Sequence, residues 1–130
     1  MFGLIRAGNN GWTLDAMGTT SSCTGPSDDM TGGEYYIYIE TSSPRVYGEI
    51  AILESASIDL SSISNPGLKF YSHMYGNNIE ELRVDISNDA GMNWINIFSK
   101  LGDHGDQWNE ELVNISSYSG VVKFRITGIR

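Results

Sequence analysis

Asp85-Ile86-Ser87-Asn88-Asp89-Ala90-Gly91-Met92-Asn93-Trp94-Ile95-Asn96-Ile97 joins two alternating apolar segments through a Ser-x-Asp-x-Gly-x-x-Trp turn. This stretch predicts a β-hairpin. Ser87, Asn88 and Asp89 carry short polar side chains that bond nearby backbone amides, and Gly91 tolerates a positive φ. Trp94 supplies a large apolar anchor where the next strand begins, and it is expected, like Trp108, to sit in the core.

Working outward, the same period-two alternation recurs, broken by turn residues every ten or so positions. The expected strands are Tyr35–Thr41, Glu49–Glu54, Leu68–Tyr75, Glu81–Ser87, Trp94–Phe98, Glu110–Ile115 and Val121–Thr127. Between them lie breaks such as Ser42-Ser43-Pro44, Asn65-Pro66-Gly67 and Gly76-Asn77-Asn78. No helical period and no long polar linker interrupts the series. The expected architecture is all-β, a two-sheet antiparallel β-sandwich forming a single domain over residues 1–130.

Alternation also assigns faces. In Leu68 to Tyr75, the residues Leu68, Phe70 and Met74 read as core, and Lys69, Tyr71, His73 and Tyr75 fall on the opposite face. Leu82, Val84 and Ile86 oppose Glu81, Arg83 and Asp85, and Val122, Phe124 and Ile126 oppose Lys123 and Arg125. If these strands share one sheet, its outer face gathers Tyr71, His73, Tyr75, Arg83, Asp85 and Arg125. Flat rings beside charged groups suit a sugar, because rings cover pyranose faces and charged groups fork onto hydroxyls or sulfates. Cross-strand aromatic and charged pairs also simply stabilise exposed sheet faces, by ~0.2–1 kcal/mol each.

Composition narrows the function classes. The 130 residues are 40% hydrophobic, and acidic residues outnumber basic ones 16 to 8, for a net charge of −8. That balance argues against a nucleic-acid partner, which needs a basic patch. No apolar run approaches the ~20 residues of a membrane span, so no membrane insertion is expected, and Met1 to Ala7 is too short for a signal peptide. Cys23 is the only cysteine, which rules out an intrachain disulfide. It lies in a small-residue loop with no base near it in sequence, so it reads as a structural thiol.

Catalytic constellations are weak. Glu81 and Asp85 share a face with Arg83, where solvated ion pairing is the ordinary outcome. His104 lies in a Gly-rich loop with Asp103 and Asp106, a pattern that fits a plain turn better than a metal loop. The expectation is a chain without enzymatic activity. Asn114-Ile115-Ser116 matches the N-glycosylation pattern, relevant only in a eukaryotic secretory setting.

From Trp12 onward the order of motifs resembles the MAM domain, the extracellular module of meprin, the neuropilin-type A5 protein and receptor tyrosine phosphatase mu. The pieces are Gly11-Trp12-Thr13, Thr24-Gly25-Pro26-Ser27 followed by Asp29 and Thr31-Gly32-Gly33, and Tyr36-Ile37-Tyr38-Ile39-Glu40. Leu68 through Gly76, Gly105-Asp106-Gln107-Trp108 and Tyr118-Ser119-Gly120 complete the series. The resemblance implies a jelly-roll-like sandwich, secreted or at the cell surface, that serves adhesion or recognition through a protein partner. The alternative is a polysaccharide partner, as in a module that holds a secreted enzyme on its substrate. It also implies a structural calcium near the Gly-Pro loop, for which Asp29 and Glu40 are the matching carboxylates; calcium wants six to eight oxygens, so Asp28, Thr31 or carbonyls would have to contribute. The lone cysteine departs from the paired cysteines of animal members and fits a bacterial or environmental relative better. The family's last strand and its acidic first strand find no counterpart here, so a sheet edge is expected to pair with another chain, giving a homo-oligomer, or to be rearranged.

Overall fold

The computed structural model describes residues 12–15, 25–27, 30, 32, 36–39 and 46–130. Among them are nine strands and no helix: β1 Thr13–Asp15, β2 Tyr36–Tyr38, β3 Ile50–Glu54, β4 Ile58–Asp59, β5 Gly67–His73, β6 Glu81–Ser87, β7 Ile95–Leu101, β8 Trp108–Asn114 and β9 Val121–Ile129. Each of the seven segments expected from alternation contains a strand, and of Tyr35–Thr41 the described part is residues 36–39. β1 and β4 are additions, both too short to show a period.

Every pairing is antiparallel, and the strands form two layers. The first layer is a sheet in the order β3-β9-β6-β7, with β4 also on β9. The second contains the ribbons β5-β8 and β1-β2. Their common side follows from contacts on the inner face of the first layer. Phe70 of β5 meets Phe98 of β7 edge-on at 5.2 Å, and Trp12 donates its indole N–H to Ala51 O of β3 at 3.1 Å. Ile39, just past β2, lies against Gly128 of β9.

Between the layers sits the core that alternation predicts. Leu68, Val84, Ile86, Val122 and Phe124 are buried together with Leu60 and Ile115 from the connecting segments. Burying side chains of this size contributes ~1.5–3 kcal/mol each. One polar cluster interrupts this interior: Lys100 of β7 pairs with Glu111 of β8 across the gap, and Ser72 of β5 donates to the same carboxylate at 2.7 Å.

The segment after β3 explains why alternation stops at Glu54. Ser55 is buried, and its Oγ accepts the Phe124 N–H at 2.9 Å, the bond a neighbouring strand's carbonyl would otherwise supply. Ser55 N donates to Phe124 O at 2.8 Å, and the chain rejoins β9 as β4. The chain thus stays beside β9 from Ile50 to Asp59, with a kink where Ser55-Ala56-Ser57 breaks the apolar pattern.

Candidate functional site

The hairpin expected over Asp85–Ile97 forms, with Ile86 opposite Ile95. Ser87 is buried; its hydroxyl donates to Asp89 Oδ1 at 2.7 Å and accepts Gly91 N–H at 2.9 Å. Asp89 accepts the Asn93 backbone N–H and side-chain amide, each at 2.8 Å. These bonds, led by the Asn93 backbone amide, lower the Asp89 carboxyl from 3.8 to about 2. Gly91 adopts φ 90°, and Ala90 before it is also left-handed at φ 62°.

Trp94 does not enter the core. It stands half-buried on the outer face of the first layer, with the Arg125 guanidinium 4.6 Å from its ring centroid. Arg125 in turn forks onto Asp85 Oδ2, through Nε at 3.2 Å and Nη2 at 3.0 Å. Asp85 is therefore buried, 4% exposed, rather than solvated as expected. The lid formed by Trp94, together with the amide of Asn96 at 3.1 Å, makes the difference.

The six candidate ligand residues do not share a face. β5 pairs with β8 and not with β6 or β9, so Tyr71, His73 and Tyr75 lie in the second layer, whereas Arg83, Asp85 and Arg125 lie in the first. Alternation fixes which side of a strand a residue occupies, but not which strand lies next to it. Tyr71 remains near the surface, donating to Glu110 at 3.2 Å with the Lys69 ammonium 5.5 Å from its ring. His73 is enclosed: its side chain is 3% exposed, packed edge-on against Trp108 at 5.3 Å and Tyr75 at 6.4 Å. Trp108 is half-buried beside it, outside the main apolar cluster.

Of the remaining candidates, Asp29 and Glu40, the carboxylates proposed for calcium, lie outside the described residues, as does Cys23. Among the described residues no three His, Cys, Asp or Glu side chains gather as a metal site. The loop after β7 is a turn closed on itself: His104 Nε2 meets Leu101 O at 2.9 Å, and Asp103 accepts the Gly105 N–H. Glu81 lies 3.8 Å from Arg83 on the sheet surface.

What alternation did not single out is the pattern across the outer face of the first layer. Ile50, Ile129, Glu81 and Leu101 stand in one cross-strand row, and Ile52, Thr127, Arg83 and Ser99 form the next. Ile50, Ile52 and Leu101 are 55%, 40% and 66% exposed. The following row, Glu54, Arg125 and Asp85, is polar. Tyr47, 80% exposed, stands near this face, and its hydroxyl bonds Glu80, which raises the Tyr47 pKa. The face thus grades from an exposed apolar end to a paired charged end. Beyond it, β7 ends the sheet, and among the described residues nothing pairs with its outer side.

A second feature is a pocket of about 230 Å³, partly open to solvent, that runs along β5. It is lined by Trp12, Ile37, Ile39, Phe70, Leu82 and Ile126, and it also touches His73 of β5 and Trp108 of β8.

The family model of the MAM domain, meprin/A5/mu, matches residues 5–130. The chain belongs to the MAM family. Among its relatives, MAM domain-containing glycosylphosphatidylinositol anchor protein 2 of Mus musculus is 35% identical over 121 residues, covering 82% of this chain and 13% of that protein. MAM domain-containing glycosylphosphatidylinositol anchor protein 1 is 35% identical over 115 residues in Homo sapiens and 34% over 97 in Gallus gallus. This MAM chain spans 11% and 10% of those two proteins.

Proposed function

We propose that this MAM domain is a non-catalytic recognition module, extracellular or at a cell surface, that docks a protein partner on the outer face of its first layer. The observation that carries the reading is the exposed apolar residues of that face, Ile50 and Ile52 on β3 and Leu101 on β7, which stand in two adjacent cross-strand rows. Exposed large apolar side chains on one sheet face, with Arg83 and Tyr47 at hand, have the composition of an interface. The cell-surface placement draws on the relatives, whose names describe glycosylphosphatidylinositol anchor proteins.

A second copy of the chain is the partner to test first, through this face and the outer side of β7. Two copies at net charge −8 repel each other, so self-association should strengthen with salt as screening shortens the repulsion. Sedimentation from micromolar to millimolar concentration, in low and moderate salt, tests this. A concentration-dependent dimer that Ile52→Arg and Leu101→Arg abolish without changing Tm supports the reading. A monomer throughout removes self-association.

The polysaccharide alternative draws on Tyr71 with Lys69 beside its ring. His73 adds little to it, since an enclosed ring offers no open platform for a sugar. Affinity electrophoresis against neutral and sulfated polysaccharides is the direct test, and retardation lost in Tyr71→Ala would favour this alternative.

A further inference from the structure

We propose that Asn114 is the attachment site of an N-linked glycan, acquired when the chain passes through a eukaryotic secretory compartment and carried on the outer side of the β5-β8 ribbon. Asn114-Ile115-Ser116 is the only Asn-x-Ser or Asn-x-Thr triplet in the 130 residues, and the fold presents it as such a modification requires. Asn114 ends β8 and is exposed, as is Ser116, whereas Ile115 between them is 2% exposed and belongs to the core. Alternation turns Val113 and Ile115 inward and Asn114 outward, and Val113 packs against the core accordingly. Opposite Asn114 in the register stands Gly67, which has no side chain. Among the described residues, a Cβ on Gly67 would meet only Val113 O, at 3.7 Å. The outward side of this pair is therefore open.

A local turn orients the side-chain amide. Asn114 Oδ1 accepts the Ser116 backbone N–H at 2.9 Å, an Asx turn, and none of the described residues accepts a hydrogen bond from Nδ2, the atom that would carry the sugar. Attachment joins Nδ2 to C1 of the first sugar and breaks the C1–O bond of a polyprenyl-diphosphate-linked oligosaccharide. The diphosphate leaves with the bonding electrons, and one amide proton passes to a base. Nδ2 keeps its other proton and Oδ1 keeps the Ser116 N–H, so the turn survives the modification and the core is untouched. The site rests on the extracellular placement proposed above and is independent of the docking face, because Asn114 lies on the second layer, on its side away from the first.

The test secretes the whole chain, behind a cleavable signal sequence, from a mammalian cell line and reads its intact mass before and after peptide N-glycosidase F. The expected result is a folded chain heavier than its sequence by the mass of one oligosaccharide. The amidase should remove that excess and leave Asn114 as its acid in the peptide map. In Asn114→Gln the excess mass should be lost. Ser116→Ala should lose it too while keeping the backbone bond to Asn114 Oδ1, so it tests the site even where Asn114→Gln does not fold, and Ser116→Thr should keep the modification. A secreted, folded chain of unmodified mass, or an excess mass that survives in Ser116→Ala, would overturn the site. A chain that carries the glycan yet stays monomeric in sedimentation would remove self-association and leave the site standing.

Discussion

Lys100 of β7 and Glu111 of β8 form an ion pair that bridges the two layers, with their side chains only 16% and 14% exposed. Each charge has lost most of its water and depends on the other. Removing one partner leaves the other stranded, so Glu111→Leu should destabilise the fold by about 3 kcal/mol. Replacing both, as Lys100→Met with Glu111→Leu, should restore stability to within about 1 kcal/mol of the parent, because apolar groups of similar size carry no desolvation cost. Urea denaturation of the two variants measures both values. A double variant no more stable than the single one would mean that the pair is not the source of the loss.

Gly128 of β9 faces the interior, where a Cβ would collide with Ile39 Cδ1 and stand 3.3 Å from the Trp12 ring. Its φ is not in the left-handed region, so the constraint is space and not backbone conformation. Gly128→Ala should therefore cost about 1–3 kcal/mol. Ile39→Val in the same chain should recover part of that loss by shortening the side chain in the way. Thermal denaturation of the single and double variants checks it, and a Gly128→Ala chain as stable as the parent would mean that Ile39 moves into the neighbouring cavity at no cost.

How much of this was legible before the structure can be read from particular residues. Alternation located β5 and β6 to within two residues at each end, because one face of each strand is buried and the other is not. It could not tell that β5 pairs with β8, since Tyr71↔Glu110 is a contact between residues 39 apart that no local pattern encodes. The expected common face of Tyr71, His73, Tyr75, Arg83, Asp85 and Arg125 divides between the two layers for that reason. Trp94 was misplaced for a different one: a tryptophan at a strand start satisfies its apolar surface equally by entering a core or by covering a guanidinium, and only the position of Arg125 decides. The row of Ile50, Ile52 and Leu101 was similarly hidden. Its members come from two strands about fifty residues apart in sequence, and each alone is an unremarked exposed residue.

The stack of Trp94, Arg125 and Asp85 should behave as one unit. Trp94→Ala removes the ring from the guanidinium and is expected to cost about 1–2 kcal/mol. Asp85→Asn keeps the shape but removes the charge from a buried position, and is expected to cost about 2 kcal/mol. Because the indole keeps the ion pair from water, the two losses should not add. A double-mutant cycle should give a coupling of at least about 0.5 kcal/mol, and additive losses would mean that Trp94 and Asp85 act on Arg125 independently.

The hairpin turn makes stability depend on acid in a defined window. The Asp89 carboxyl is at about 2 in the fold against an ordinary 3.8, because the Asn93 backbone amide, the Ser87 hydroxyl and the Asn93 side chain all bond its ionised form. The unfolded chain therefore binds a proton at Asp89 before the folded chain does, and stability rises with pH wherever that holds. The contribution is fully present above pH ~4 and falls away as pH drops through ~2. Asp89→Asn cannot titrate, so it should lose stability relative to the parent at neutral pH, and the gap should narrow as pH falls from 4 to 2. Urea midpoints of both chains across that range are the measurement. Parallel pH profiles would show that the carboxylate does not hold the turn, and that Ser87, whose hydroxyl still accepts the Gly91 amide, closes it without Asp89.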